Sequence, residues 1–434
     1  MSEPLLDRYD GPFDPGFRWS RLSRSALARL GREVMLFAHF HDRGLMPMLA
    51  QRFGSKAITD VACDEWIGAS PVYNRRCREL LRVPGDGVSA VFKAFQLDVG
   101  FPHQYMDVQY ELVDEGLGFF WLPFCGAYED VSRFAGGRDE PIVRMCHHIE
   151  DPTFPATVGA VSRRLHVSPV HRPPLRIGHT GPTCRWQIAH GEDGGLHEIP
   201  LTDAVRASRA AQRPVGEVAG PESAGADGLV DYAGPFRPHF ALEDLAQPTL
   251  ALVCQEMALD VHLLMRAAFG SVRERFGPEV AAELAREQWA ALAPAVLPRL
   301  REAVGIEGDD VPAILKTLQV DPALPPGYVA LRAEVDDPRR GRIWLEPCEA
   351  TEPGEAEAWL ALLADAERPG LDAAVAALNP RARLRPAGRP FAWEIEIDPA
   401  ADPRPESPLA AVVRASNVAA FRFREPRAAE PGAR

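Results

Sequence analysis

The chain has 434 residues, of which 46% are hydrophobic and 25% are charged, and its formal net charge is −13. These values fit a globular protein long enough for two hydrophobic cores. The acidic balance excludes general binding to nucleic acid, which needs basic patches. No apolar run approaches the ~18 residues that span a bilayer, and the first residues lack the pattern of a signal peptide. Seven cysteines without regular spacing do not indicate a disulfide framework. We therefore expect a cytoplasmic protein with no membrane partner.

Helices come first in the chain. Residues 1–17 are rich in Pro, Gly and Asp and predict an irregular arm. Apolar residues at helical spacing predict a helix over 22–51 and one or two helices over 55–81. A further helix is predicted over 86–97, with Asp86 as its N-terminal cap.

Strands follow the helices. The period of the apolar residues changes from helical to alternating near residue 105. We predict a hairpin over 105–124, a helix over 127–135 and an extended segment over 141–150. A second helix, opened by Asp151-Pro152, is predicted over 151–162, and two closing strands over 165–170 and 185–190. Helices followed by an antiparallel sheet with one crossing helix define an α+β unit.

The chain also repeats itself. Arg52-Phe53-Gly54 recurs as Arg275-Phe276-Gly277, and the same spacing gives 25 identities in the 76 positions from 52 to 127 without a gap. This period is too long for a solenoid and indicates a duplicated domain. We assign residues 1–190 to copy one, 191–247 to a linker, 248–400 to copy two and 401–434 to a C-terminal tail. Two tandem α+β domains could pack as an internal pseudo-dimer.

Two polar residues of copy one survive in copy two. Lys93 and Gln96 recur as Lys316 and Gln319. We expect them to hold their helix against the sheet.

The copies differ most around residues 145–154. Copy one has five groups there that can bind a metal: Cys146, His147, His148, Glu150 and Asp151. Copy two, over 362–371, has neither thiol nor imidazole, and Arg368 replaces Asp151. Residues that only one copy keeps are candidates for a functional role. These ligand types suit zinc, or iron if imidazole and carboxylate dominate.

The geometry of this cluster depends on its backbone. In an extended segment Cys146, His148 and Glu150 share one face. In a helix Cys146 pairs with Glu150, and His147 pairs with Asp151, at a spacing of four residues. The alternative is structural: a cysteine can be a small buried apolar group, Asp151 can be only a helix cap, and the histidines can lie at a wet surface.

Neither arrangement completes a coordination shell, so other elements must contribute. Cys125, at the end of the neighbouring strand, is the first choice, and the next are His39, His41 and Cys184. Copy two keeps counterparts of two of these residues, Cys348 and His262, so packing is an alternative explanation for Cys125 and His39.

Three cysteines carry a family resemblance. Cys125 ends a strand, Cys146 precedes a helix, and Cys184 with Trp186 forms a Cys-x-Trp strand. This pattern resembles the aminothiazoline-carboxylate hydrolase-like family and, more distantly, is similar to the 4-vinyl-reductase domain, whose relatives include haem-binding nitric-oxide sensors. The resemblance covers roughly 25–190 and, in degraded form, 248–398. It implies hydrolysis or small-molecule binding, with the three cysteines as family-type positions.

These observations predict a metal-dependent enzyme with one site, in copy one. A metal held by some of Cys146, His147, His148, Glu150 and Cys125 activates water or polarises a carbonyl. The catalytic candidates are Glu150, Asp151 and His148, with whichever carboxylate is not a ligand as general base. The predicted reaction is hydrolysis of a small amide, amidine or heterocycle. The alternatives are a non-enzymatic module that binds or senses a small molecule, metal or haem, and a purely structural zinc site.

Overall fold

The computed structural model describes residues 4–176, 178–191, 198–218, 228–352, 359–360, 363 and 369–424. It confirms the α+β class, with two similar halves that each combine helices with a four-stranded antiparallel sheet. The first half contains α1 (Arg24–Phe53), α2 (Ser55–Leu80), α3 (Val88–Leu97), β1 (Met106–Asp114), β2 (Leu117–Cys125), α4 (Gly126–Ala135), α5 (Glu140–Val143), a π-helical turn (Arg144–Ile149), α6 (Glu150–Val161), β3 (Leu165–His171) and β4 (Cys184–His190).

The second half follows two short helices, α7 (Pro200–Arg206) and α8 (Arg209–Gln212). Its elements are α9 (Gln247–Phe276), α10 (Pro278–Val304), α11 (Val311–Gln319), β5 (Leu331–Asp337), β6 (Arg340–Leu345), α12 (Pro369–Leu378), β7 (Ala382–Pro386) and β8 (Ala392–Ile397). Two further helices, α13 (Pro408–Arg414) and α14 (Asn417–Ala420), close the described chain. No helix in the described part of the chain is long and apolar enough to cross a membrane.

The repeated Arg-Phe-Gly sequence marks a sharp helix junction. Gly54 lies between α1 and α2 with φ of 81°, and Gly277 lies between α9 and α10 with φ of 96°. This left-handed region is open to glycine without steric cost, so the chain can end one long helix and start the next within one residue. The preceding Phe53 and Phe276 stack on each other with ring centroids 4.0 Å apart.

The sheets share one topology. The strand order is β1-β2-β4-β3 in the first half and β5-β6-β8-β7 in the second, with every pairing antiparallel. The predicted hairpin and closing strands are confirmed. In the first sheet Phe120 and Trp186 stack with centroids 6.2 Å apart, and Phe154 of α6 meets Trp186 edge-on at 4.7 Å. These buried rings attach α6 to the sheet.

Two local predictions were wrong. Residues 141–150 are not extended but helical, running through α5 and the π-turn into α6 without a break. Pro141 lies in the first turn of α5, where a missing N–H costs nothing, so it starts a helix here and does not signal an extended chain. Asp151 accordingly caps nothing, and Asp86 does not cap α3 but pairs with Arg164.

The halves pack through their long helices. Arg76 on α2 forms a buried ion pair with Glu256 on α9, with Nε 2.5 Å from Oε1. At the equivalent positions, Arg299 on α10 pairs with Glu33 on α1 at 2.7 Å. Both pairs join one half to the other. The spacing of 223 residues places Arg299 at the position equivalent to Arg76 and Glu256 at the position equivalent to Glu33. The interface therefore has approximate twofold symmetry.

The segment before each half binds to the opposite half. Nζ of Lys93 donates to the carbonyls of Tyr232 and Gly234, at 3.0 and 2.5 Å, and the Tyr232 hydroxyl donates to Oε1 of Gln96 at 2.9 Å. Lys93 and Gln96 therefore hold this arm, residues 228–246, onto the first half. The expectation that they fix a helix against the sheet was wrong.

The N-terminal arm, residues 4–22, makes the reciprocal contacts. Lys316 donates to the carbonyls of Tyr9 and Gly11, and the Tyr9 hydroxyl donates to Oε1 of Gln319 at 2.9 Å. Each half is thus completed by the other half's arm.

The segments assigned to a linker and a tail also correspond. Helix α7 in the predicted linker 191–247 and α13 in the predicted tail 401–434 share the pattern Pro-Leu-x-x-x-Val-Arg-Ala-Ser. The backbone carbonyl oxygens of Ala211 and Arg213 accept from Arg76. Those of Ala419 and Phe421 accept from Arg299. Residues 192–197 and 219–227 of the predicted linker and 425–434 of the predicted tail lie outside the described residues.

Candidate functional site

A cavity of about 450 Å³ lies in the first half. Its walls come from α1, α2, α4, α5, the π-turn and α6, and Val412 and Ser416 of the C-terminal segment close one side. Most of the lining is apolar, from aromatic, aliphatic and methionine side chains that include Met46, Ile58, Trp66, Phe101, Met145 and Phe154. Four carboxyl groups interrupt this surface: Asp42, Asp98, Asp130 and Glu150.

Two of these carboxyl groups have structural partners. Asp98 accepts from the Tyr73 hydroxyl at 2.8 Å and from Nδ2 of Asn74 at 2.9 Å. Asp130 accepts from Nε of Arg43 at 2.8 Å and from the Tyr105 hydroxyl at 3.1 Å. These groups fasten helices together. Of the four carboxyl groups, Asp42 and Glu150 are therefore the candidates for a functional role in the cavity.

Asp42 belongs to a buried triad with His41 and Glu65. One potential ligand atom from each residue lies within 4.8 Å of the other two, and within the described chain no other three His, Cys, Asp or Glu residues meet this criterion. Nδ1 of His41 is 3.2 Å from Oε1 of Glu65, and these two side chains are 0% and 1% exposed. His41 and Asp42 are neighbours on α1, and Glu65 lies on α2, so the packing of these two helices brings the three groups together.

The triad is electrostatically unsatisfied. Burial, followed by the charge of Glu65, raises the pKa of Asp42 to about 8. Burial also raises the pKa of Glu65 to about 8 and lowers that of His41 to about 4. Both ring nitrogens of His41, both carboxyl oxygens of Glu65 and Oδ1 of Asp42 find no hydrogen-bond partner of good geometry among the described residues. Buried polar atoms are usually paired, and imidazole and carboxylate are both ligand types that bind zinc and iron.

The second half lacks this triad. At a spacing of 223 residues, His41, Asp42 and Glu65 correspond to Leu264, Met265 and Gln288. Every potential ligand is replaced by an apolar or amide side chain. The asymmetry that marked residues 146–151 in the sequence therefore applies equally to these three positions.

The second half nevertheless builds the wall behind the triad. Nε2 of Gln288 donates to the backbone carbonyl of His41 at 2.9 Å, and Nε1 of Trp359 donates to Oε1 of Gln288 at 3.0 Å. The rings of Phe269 and Trp359 lie 6.1 and 5.9 Å from the His41 ring. Residues of both halves therefore fix the imidazole and exclude water from behind it.

Glu150 approaches the cavity from α6. Burial raises its pKa to about 8, a shift that the Arg172 guanidinium opposes. Its side chain has no hydrogen bond or ion pair with any described residue, although its backbone N–H donates within the helix. A carboxyl group in this environment carries its proton near neutral pH and can donate it.

Three cysteines surround Glu150. Cys125, Cys146 and Cys184 are buried. Burial, with the nearby charge of Glu150, raises the pKa of Cys146 and Cys184, and burial raises that of Cys125 to about 12. All three are therefore thiols at neutral pH. Their ligand atoms and those of Glu150 do not form a set of three within 4.8 Å, as judged over the described residues.

The remaining members of the predicted cluster point elsewhere. Nε2 of His147 lies 2.7 Å from the carbonyl oxygen of Pro173. His148 is exposed, and exposed Asp151 pairs with Arg172. The helical backbone explains this divergence, because residues on successive positions project from different sides of a helix. The structure therefore groups Cys146 with Glu150 and separates both from the two histidines and Asp151.

The additional candidates have distinct surroundings. His39 lines the cavity, with Nε2 3.1 Å from the Gly100 carbonyl oxygen, and burial lowers its pKa to about 4. Its counterpart His262 packs 4.8 Å from the ring of Tyr328, so both halves keep an imidazole beside a tyrosine. His41 is the one predicted candidate that belongs to the triad.

Sequence reasoning missed Asp42 and Glu65. The signal was present, because the spacing of 223 residues places Met265 and Gln288 opposite them. Comparison with family models, curated proteins and solved structures gave no match to this chain.

Proposed function

We propose that the protein is a metal-dependent hydrolase of a small amide, amidine or heterocyclic compound, with its site in the first half. The observation that carries the proposal is the buried, unsatisfied triad beside an apolar cavity. His41, Asp42 and Glu65 would hold the ion, zinc or iron(II), in place of most of the predicted cluster at 146–151. Two carboxylates neutralise a divalent cation, which removes the cost of two buried negative charges.

The bound ion supplies an activated water or a polarised carbonyl. The chain's own contribution is orientation and proton transfer. Asp42 connects the triad to the cavity, and Glu150 lines the same cavity from α6. Because burial raises the pKa of Glu150 to about 8, its protonated form is available to give a proton to a leaving nitrogen.

The cavity also limits the substrate. Its volume of about 450 Å³ suits a small organic molecule, and its lining is mainly apolar. The acids that reach the cavity, Asp42 and Glu150, are largely buried, and burial raises the pKa of each to about 8. An uncharged amide or amidine fits these apolar walls.

Metal content tests the proposal. We expect one zinc or iron ion per chain in the wild-type protein and in His147→Ala, and loss of the ion in His41→Ala and Glu65→Gln. Metal retained in His41→Ala but lost in His147→Ala would move the site to residues 146–151. No metal in any protein after reconstitution with Zn²⁺ or anaerobic Fe²⁺ would reject the metal site.

A test of catalysis needs Glu150→Gln. On a panel of amides, amidines and thiazolines, this variant should keep its metal and lose about 10²- to 10⁴-fold in hydrolysis rate, the range for one general acid. Binding of panel compounds without turnover by the metal-loaded wild type would favour the alternative, a non-enzymatic binding module, for which the apolar cavity wall is the supporting observation.

The relationship to the aminothiazoline-carboxylate hydrolase-like family also stays a proposal. It is supported by the grouping of Cys125, Cys146 and Cys184 around Glu150. Under that proposal the thiols shape the acid's surroundings, because all three remain protonated at neutral pH.

A further inference from the structure

A second cavity lies on the opposite side of α2 from the first. Its volume is about 850 Å³, and it is bounded by the end of α2, the turn after α6 and the segment containing α7 and α8. Six arginines line it, together with three carboxylates: Arg75, Arg76, Arg163, Arg164, Arg206 and Arg213 against Glu79, Asp86 and Glu198. A local excess of positive charge is unusual in a chain of net charge −13.

Three of the arginines have structural roles. Arg76 forms the buried ion pair with the second half. Arg164 binds Asp86 with two contacts, of 2.7 and 2.8 Å, and Arg206 pairs with Glu198 and with Asp203. These charges are already neutralised by carboxylates.

Arg75 and Arg163 are different. Both are exposed to the cavity, and neither has a hydrogen bond or ion pair with a described residue. Among the carboxylates of the cavity, Glu79 likewise lacks such a partner, so unpaired positive charge remains in excess. Side chains from the wall, such as Val72 and Val161, add an apolar surface beside these charges.

The comparison of the halves separates the two kinds of arginine. The paired residues Arg76, Arg164 and Arg206 correspond to Arg299, Arg381 and Arg414, and are retained. The unpaired residues Arg75 and Arg163 correspond to Pro298 and Pro380. The sixth arginine, Arg213, pairs with Glu349 and corresponds to Phe421. The second half thus keeps three of the four paired arginines and lacks both of those that face the cavity without a partner.

We propose that this arginine cavity binds a small organic molecule carrying two or more phosphate or carboxylate groups. Guanidinium groups form charge-assisted, often bidentate hydrogen bonds with such anions. Arg75 and Arg163, projecting from α2 and from the turn after α6, contact the anionic groups, and the apolar wall holds the rest of the ligand. The site is separate from the hydrolase cavity.

Calorimetric titration of the full chain in chelator, at fixed ionic strength, tests this assignment. The probes are pyrophosphate and citrate, which distinguish phosphate from carboxylate as the preferred group. We expect saturable binding of at least one probe, weakened about tenfold or more in Arg75→Gln and in Arg163→Gln, the effect of one charged hydrogen-bonding group. The matched control is Arg332→Gln, an exposed arginine of β5 that makes the same change in net charge.

Two results would overturn the assignment. One is the absence of saturable binding by either probe. The other is equal weakening in Arg332→Gln, which would show only a response to net charge. Glu65→Gln should bind the probes as the wild type does, so failure of the metal site and failure of the arginine cavity are distinguishable. Circular dichroism of each variant confirms that the exposed substitutions leave the fold intact.

Discussion

The affinity of the triad for Zn²⁺ should depend steeply on pH. Burial raises the pKa of both Asp42 and Glu65 to about 8, so near pH 6 both carboxyls carry protons that the metal must displace. His41 needs no such step, because its pKa of about 4 leaves it neutral. Each displaced proton weakens binding tenfold for each pH unit below 8. Because each carboxyl is already half protonated at pH 8, the two protons together give an affinity roughly 10³- to 10⁴-fold lower at pH 6 than at pH 8.

Competition with a chromophoric chelator from pH 6 to 8 measures this slope. In Glu65→Gln one titrating ligand is gone, so the affinity should fall and change only about tenfold per pH unit. Glu150→Gln is the matched control, because it removes another buried carboxyl whose pKa is about 8 but which is not a proposed ligand. A pH-independent affinity, or a halved slope in Glu150→Gln but not in Glu65→Gln, would refute the assignment of these ligands.

Three further predictions concern the fold. Arg76→Met should lower the free energy of unfolding by about 3–5 kcal/mol in urea titration, because it strands a buried carboxylate. Adding Glu256→Leu should recover part of the loss, since the carbonyls of Ala211 and Arg213 still lack their Arg76 donor; equal instability of the double variant would contradict this. Lys93→Met leaves two carbonyls of the arm 228–246 unpaired, so limited proteolysis should cleave the arm faster than in wild type, and an unchanged rate would show that the lysine does not anchor it. Gly54→Ala should cost about 1–3 kcal/mol from backbone strain alone, since φ of 81° with ψ of 174° is a conformation that essentially only glycine adopts, and its Cβ meets no atom within 4 Å; no loss in thermal unfolding would exclude strain at this junction.

Much of the fold could be predicted from the sequence because it is locally encoded. The helical spacing of apolar residues and the change to alternation near residue 105 locate α1, α2 and the first hairpin. The segment 141–150 was predicted to be extended, whereas its one proline, Pro141, occupies the first turn of a helix that continues through the π-turn. The exchanged arms could not be foreseen, since they depend on long-range contacts such as that of Lys93 with Tyr232.

The site was partly predictable for a different reason. Cys146 and Glu150 attracted attention because ligand-capable residues are adjacent there in sequence. Asp42 and Glu65 are 23 positions apart on two helices, and each is a single difference between the halves. Only the packing of α1 against α2 shows that they meet beside His41.

The symmetry of the interface places a residue of the second half against the triad of the first. Gln288 occupies the position equivalent to Glu65, yet it lies beside His41 of the other half. Its amide donates to the His41 carbonyl and accepts from Trp359. A glutamate at 288 would have to stay protonated to donate to the His41 carbonyl, and when ionised it would add a third buried carboxylate beside the triad. The amide donates and accepts at any pH without adding charge, so under the proposed function Gln288 lets the second half support the first half's site without carrying a ligand of its own.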